Sequence, residues 1–150
     1  VFDPGQGMPL FDGDEFRQFV EQATWVAVND YEWQLLKDRT GWDVAQLMER
    51  VEALIVTRGA EGSLIFAGGE ELEIPAAHPR EIHDPTGCGD AYRAGLLYGI
   101  MSQRDWQTVG RIASLMGALK IECHGTQNHS FSRDEFLDRY RENFGEALTE

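Results

Sequence analysis

Ala53-Leu54-Ile55-Val56-Thr57 is a nearly continuous apolar run closed by Arg58-Gly59. A strand of this kind keeps no polar face for water, which is the pattern of a parallel strand covered on both sides. It needs helices as cover, and the chain supplies them. Phe16, Phe19 and Val20 fall at helical spacing within residues 12–23, and residues 30–37 and 42–51 read as two further helices. Residues 24–28 read as a short buried strand, and residues 1–3 as the end of a strand running into a loop. Ser63–Ala67 and residues 71–75 flank Gly68-Gly69-Glu70, which predicts a hairpin. Beyond it, Cys88–Met101, Trp106–Ile121 and residues 133–143 read as helices, with residues 125–130 as a connecting loop. Strands alternating with helices, followed by helices alone, predict an α/β protein: an open sheet covered by helices.

The composition narrows the function. The chain has 150 residues and is 42% apolar, enough for one globular domain with a core. With 26 acidic against 13 basic residues the formal charge is −13, which repels phosphate backbones and argues against a nucleic-acid partner. A small phosphate ligand remains open to it, because N–H groups at a helix start bind anions without net positive charge. Two cysteines, Cys88 and Cys123, are too few for a disulfide scaffold and fit a reducing cytoplasm. No apolar run approaches a membrane span and no signal pattern opens the chain, so a cytoplasmic protein without a membrane partner is expected. The chain starts at Val1 without an initiator Met, which suggests missing upstream sequence.

The chemistry concentrates in Asp84-Pro85-Thr86-Gly87-Cys88-Gly89-Asp90, which runs into Ala91-Tyr92-Arg93-Ala94-Gly95. Its glycines let the backbone approach a ligand closely. A helix starting near Cys88 turns free N–H groups and a positive dipole end toward an anion. A carboxylate in that first turn, Asp90, can accept a proton from a hydroxyl while the N–H groups hold a phosphoryl group. On the residues alone, a plain capped helix after a glycine-rich loop explains the pattern equally well. Cys88 reads either as a reactive thiol at a helix start or as a small buried residue; the second reading is preferred.

This stretch resembles the C-terminal signature of the PfkB family, which includes ribokinase and adenosine kinase. The usual form is Asp-Thr-Thr-Gly-Ala-Gly-Asp. Here Pro85 replaces a Thr and Cys88 an Ala, while Tyr92 stands for the usual Phe. The resemblance implies that Gly87, Cys88 and Gly89 form the anion hole and that Asp90 is the catalytic base. Three weaker pieces follow the family's order. Asn29-Asp30-Tyr31-Glu32 resembles an N-x-x-E element linked to Mg²⁺ and phosphate, although the same residues spell a helix capping box. Thr57-Arg58-Gly59-Ala60-Glu61-Gly62 resembles a nucleotide loop, with Thr57, Gly59 and Gly62 as its contacts; its local alternative is a tight turn. The helix bearing Ser114 and Gly117, with Gly125-Thr126-Gln127 after it, is similar to the family's segment beside adenine and a monovalent cation.

The resemblance therefore implies a ribokinase-like three-layer α/β/α fold, of which residues 1–150 are the C-terminal, nucleotide-binding and catalytic part. It implies phosphoryl transfer from ATP to a hydroxyl of a sugar or nucleoside, with Mg²⁺ on the phosphates and K⁺ near Asp84 and Thr86. The run Asp90-Ala91-Tyr92-Arg93-Ala94-Gly95-Leu96-Leu97-Tyr98-Gly99 is similar to bacterial adenosine-kinase-like members. The family's N-terminal half carries a Gly-Gly substrate signature, a substrate-holding Asp and a β lid. None is found here, so the substrate half is expected to be missing and the isolated chain is expected to be inactive. A nucleotide-binding module without catalysis is the alternative, and a homodimer is one assembly open to the protein. No Gly-Lys pair exists for a Walker A loop, and Tyr92 stands where a dinucleotide fingerprint needs its third glycine. The four histidines carry no zinc spacing, and the tryptophans read as packing residues.

Overall fold

A computed structural model describes residues 1–148. The described residues divide into two compact units, one formed by residues 1–59 and 63–73 and the other by residues 60–62 and 74–148.

The first unit is a sheet with helices against it. Strand β1 (Trp25–Asn29) pairs in parallel with β2 (Ala53–Thr57), from Trp25 opposite Ala53 to Asn29 opposite Thr57. Strand β3 (Ser63–Ala67) pairs antiparallel with β2, and β4 (Glu70–Ile74) lies beyond β3, so the order is β1-β2-β3-β4. Phe2 adds a parallel bridge to Val26 on the free side of β1. Helices α1 (Gly13–Glu21), α2 (Asp30–Thr40) and α3 (Val44–Met48) accompany the sheet. Phe16, Val20, Val28, Leu36, Leu47 and Leu54 close a core between them. The apolar run of β2 is buried along its first four residues, as a doubly covered strand requires.

Two local features differ from the sequence reading. Residues 5–10 form a 3₁₀ helix where a loop is expected, and it buries Met8 to 1% exposure. Pro9 inside it has no N–H to give, which suits a short tight helix and not a long one. Helix α3 is shorter than the predicted span 42–51, because Asp43 caps it and the Glu52 N–H bonds to Thr24 O at 2.8 Å, drawing the chain into the sheet.

The second unit is helical: α4 (Cys88–Met101), α5 (Trp106–Ile121) and α6 (Arg133–Phe144). Helices α4 and α5 lie backbone to backbone. A Cβ on Gly95 would stand 2.7 Å from Ala113 Cα, and one on Gly99 3.1 Å from Val109 Cα. Ile112, Leu115, Ala118, Leu119 and Tyr140 form the core between α5 and α6. A buried ion pair ties the lower end of this unit: Arg139, 2% exposed, donates to both oxygens of Glu122 at 2.6 and 3.1 Å. No helix among the described residues is long and apolar enough to cross a membrane.

Candidate active site

The start of α4 differs from that of every other α-helix described. Asp12, Asn29, Asp43, Asp105 and Ser132 each cap their helix with a side-chain oxygen. The residue before α4 is Gly87, and no side chain caps that end. Gly87 has φ +84°, and a Cβ there would sit 3.0 Å from Thr126 O, so both backbone angle and space call for glycine. The Cys88 N–H turns back to Pro85 O at 3.1 Å. The amides of Gly89 and Asp90, in the first turn, have no carbonyl four residues back inside the helix. They form an uncapped, positively polarised end, and the exposed Asp90 stands in it.

The loop before α4 is held by Asp84. Its Oδ1 accepts the Thr86 N–H at 2.9 Å and its Oδ2 accepts the Gly125 N–H at 2.9 Å. These donors, Thr86 first and Gly125 after it, with the Lys120 charge adding to them, hold the Asp84 carboxyl well below the usual carboxylate range. Lys120, from the last turn of α5, is 0% exposed and donates from Nζ to Asp84 O at 2.6 Å and to Cys123 O at 3.2 Å. The Cys88 thiol is pushed up by burial, an effect that the Lys120 charge opposes and the Asp84 charge supports. A raised thiol pKa is the opposite of nucleophile activation, and it favours Cys88 as a small packing residue.

The other sequence-identified residues fall into two groups. In the second unit, Gly117 lies against the start of α4, where a Cβ would be 3.7 Å from Cys88 O. Ser114 is engaged in the frame: its Oγ accepts the Ala77 N–H at 2.8 Å and donates to Pro75 O at 3.0 Å. Gly62 has φ +85° and a Cβ there would overlap Ile74 O at 2.0 Å, so its glycine follows from chain crossing alone. In the first unit, Asn29 and Thr57 end the paired strands β1 and β2, and Thr57 Oγ1 reaches Val28 O at 3.4 Å. Gly59 opens the short 3₁₀ turn that follows. Asn29 and Glu32 form the capping box spelled by the sequence: Oδ1 of Asn29 accepts the Glu32 N–H at 2.7 Å, and Oε2 of Glu32 accepts the Asn29 N–H at 2.8 Å.

Three residues escaped the sequence reading. Lys120 could have been found as a lone charge inside the apolar stretch from Ile112 to Ile121, and Glu122 with Arg139 carried no local signal. A concavity of about 580 Å³ in the second unit, lined by Tyr98, Ile112, Met116, Phe131 and Phe136 among others, contains none of the candidate residues apart from the helix itself. Its walls are mostly apolar, with Arg104 and Arg133 among them and no carboxylate, histidine or cysteine.

An α/β chain whose left-handed glycine turn opens an uncapped helix bearing a carboxylate has the makings of a phosphate-handling protein. The chain belongs to the PfkB family of carbohydrate kinases, whose model matches residues 2–133. It is similar to the Burkholderia thailandensis nucleoside kinase, solved in complex with inosine: 51% identity and a TM-score of 0.95, covering 98% of this chain and 49% of that one. The structure of the same kinase with ADP and inosine gives a TM-score of 0.94 over 97% of this chain and 46% of that one. The Methanocaldococcus jannaschii nucleoside kinase is 31% identical over 138 residues, covering 92% of this chain and 46% of the relative. The chain thus spans about half the length of these relatives. These likenesses bear out the ribokinase-like α/β fold expected from the sequence.

Proposed function

We propose that this chain is the catalytic part of a nucleoside kinase, transferring the terminal phosphoryl group of ATP to a hydroxyl of a nucleoside. The observation that carries the reading is the start of α4: an uncapped helix end, opened by a left-handed glycine, with Asp90 exposed in its first turn. The likeness to a kinase solved with inosine favours a nucleoside over a sugar as acceptor.

The roles follow from the chemistry. Gly87 and Gly89 present backbone donors to the phosphoryl group, where charge is stabilised without reorganisation; the Cys88 N–H, turned to Pro85 O at 3.1 Å, shapes the loop between them. Asp90 takes the proton of the attacking hydroxyl. Asp84 and Thr86 hold the loop's shape. Thr57 and Gly59 are assigned to the nucleotide, and so is Gly117. Ser114 and Gly62 are left out, since packing accounts for both.

Mg²⁺ fits the donors available. Among the described residues no cluster of three His, Cys, Asp or Glu side chains could cage a metal. Mg²⁺ seldom uses such a cage; it keeps waters and binds through one or two carboxylates plus substrate phosphates. Glu32, 8% exposed with one oxygen in the helix cap, is a carboxylate of that kind, with Asn29 beside it. Glu32 and Asn29 would hold it, and the ion would supply charge to offset that of the phosphates.

The test is Asp90→Asn in the polypeptide that carries this chain, with inosine or adenosine as acceptor. Asn keeps the helix start and cannot take the proton. Turnover should fall by about 10²–10⁴ while ATP binding stays within a few-fold. Near-normal turnover in a folded variant would remove Asp90 from catalysis. Nucleotide binding without turnover in the parent would make this a non-catalytic nucleotide module.

A further inference from the structure

The resemblance implies a monovalent cation beside Asp84 and Thr86, near the loop that follows α5. Two features make a seat for such an ion: backbone carbonyl oxygens and an ionised carboxylate. Both are present, at Asp84 O, Cys123 O and the Asp84 carboxylate. They already have a cation. Lys120 is fully buried, and its Nζ donates to Asp84 O at 2.6 Å and Cys123 O at 3.2 Å. Its charge also acts on the Asp84 carboxylate.

The surrounding hydrogen bonds fix this arrangement. The N–H groups of His83 and Asp84 both reach Ile121 O, at 2.9 and 3.2 Å, and the Cys123 N–H returns to Lys120 O at 3.0 Å. Gly125 N–H closes the ring on Asp84 Oδ2 at 2.9 Å. Lys120 is therefore held from several sides, at the C-terminal end of a helix, where positive charge is favoured. A second cation in the same cradle would meet an unscreened like charge and would lose the two carbonyls to the ammonium. K⁺ does not fit these residues as they stand.

We infer that Lys120 is a tethered monovalent cation. Its ammonium does for the loop before α4 what a bound K⁺ does in a cation-requiring relative: it gathers carbonyls from the two loops and balances the Asp84 carboxylate. It is a positioning residue, not a catalytic one. The protein should need no K⁺. The inference rests on the phosphoryl-transfer reading only where activity is concerned; the cation seat itself is a property of the second unit.

The experiment compares the protein and its Lys120→Ala variant in potassium, ammonium and tetramethylammonium chloride at equal ionic strength, by urea unfolding. The protein should show the same midpoint in all three salts. Lys120→Ala opens the seat and should unfold earlier in tetramethylammonium, then recover in K⁺ or ammonium. At a K⁺ concentration ten times its dissociation constant, the unfolding equilibrium constant falls by about tenfold. A lysine that served only as packing or as a hydrogen-bonded tether would not produce cation-specific recovery. If Lys120→Ala stays unfolded in every salt, Lys120→Gln, which keeps the length and loses the charge, decides by the same comparison. K⁺-specific stabilisation or activation of the unaltered protein overturns the inference, and so does a folded Lys120 variant that treats the three salts alike. Nucleoside phosphorylation is followed in the same salts. Its absence throughout would overturn the kinase reading and leave the unfolding comparison to decide on Lys120.

Discussion

Asp84 and Gly125, forty-one positions apart in the chain, are joined by one bond: the Gly125 N–H donates to Asp84 Oδ2 at 2.9 Å. The other carboxylate oxygen holds Thr86, so a single side chain shapes the loop before α4 and docks the loop after α5. A neutral residue could keep part of this geometry, but it would lose the charge-assisted acceptor.

That relationship predicts an acid-dependent loss of stability. The folded-state pKa of Asp84 lies below its ordinary value of 3.8, chiefly through the Thr86 and Gly125 donors. A depressed carboxylate pKa contributes stability that is complete above the unfolded value and is lost as pH falls through the folded one. The unfolding midpoint of Asp84→Asn should therefore lie below the parent's by a constant margin from about pH 8 to about pH 5. The margin should shrink below about pH 4. A margin that closes between pH 8 and pH 6, or survives undiminished in strong acid, would contradict this account.

Gly87→Ala should destabilise the protein by about 1–3 kcal/mol. The left-handed conformation costs an alanine about 1–2 kcal/mol, and the new methyl meets Thr126 O at 3.0 Å. Gly87→Asn separates the two causes. Asn tolerates the left-handed region better but still carries a Cβ. If Asn restores full stability, only the backbone angle matters at this position. Urea denaturation of the two variants makes the comparison.

The Arg139–Glu122 pair should behave as a buried salt bridge. Arg139 is 2% exposed and Glu122 also accepts the Arg80 N–H at 2.6 Å. Burial opposes the charge on Glu122, and the Arg139 hydrogen bonds and the Arg80 N–H outweigh it, so its pKa is lowered. Removing one partner alone, by Arg139→Met or Glu122→Gln, should cost about 3–5 kcal/mol. The double variant should recover part of that loss, because no uncompensated charge is then left inside. Additive losses in the double-mutant cycle would show that the two side chains act separately.

Much of this was legible in the sequence, and the reasons are local. Helices α4 and α5 have the bounds read from the sequence, Cys88–Met101 and Trp106–Ile121. Strand β2 follows from its unbroken apolar run. The capping box at Asn29 and Glu32 could be spelled out from four letters. What could not be read depends on residues distant in the chain. Lys120 stands out in the sequence as a lone charge in an apolar stretch, but its partners, Asp84 and Cys123, are not legible there. Ser114 looks like a ligand contact until Pro75 and Ala77 are seen to use its hydroxyl. The 3₁₀ helix at Gly5–Leu10 has no periodic signal, because its short run includes a proline and two glycines.

The chain passes from the first unit to the second after Gly59, returns at Ser63, and leaves again after Glu73. The consequence is genetic as much as physical. No single cut in the gene yields the two units as separate, intact products, so neither could be lifted out and shuffled onto another protein as a contiguous cassette. A duplication or fusion event can inherit this half of the fold only as one continuous stretch of coding sequence. The hairpin of β3 and β4 is the stitch that enforces it.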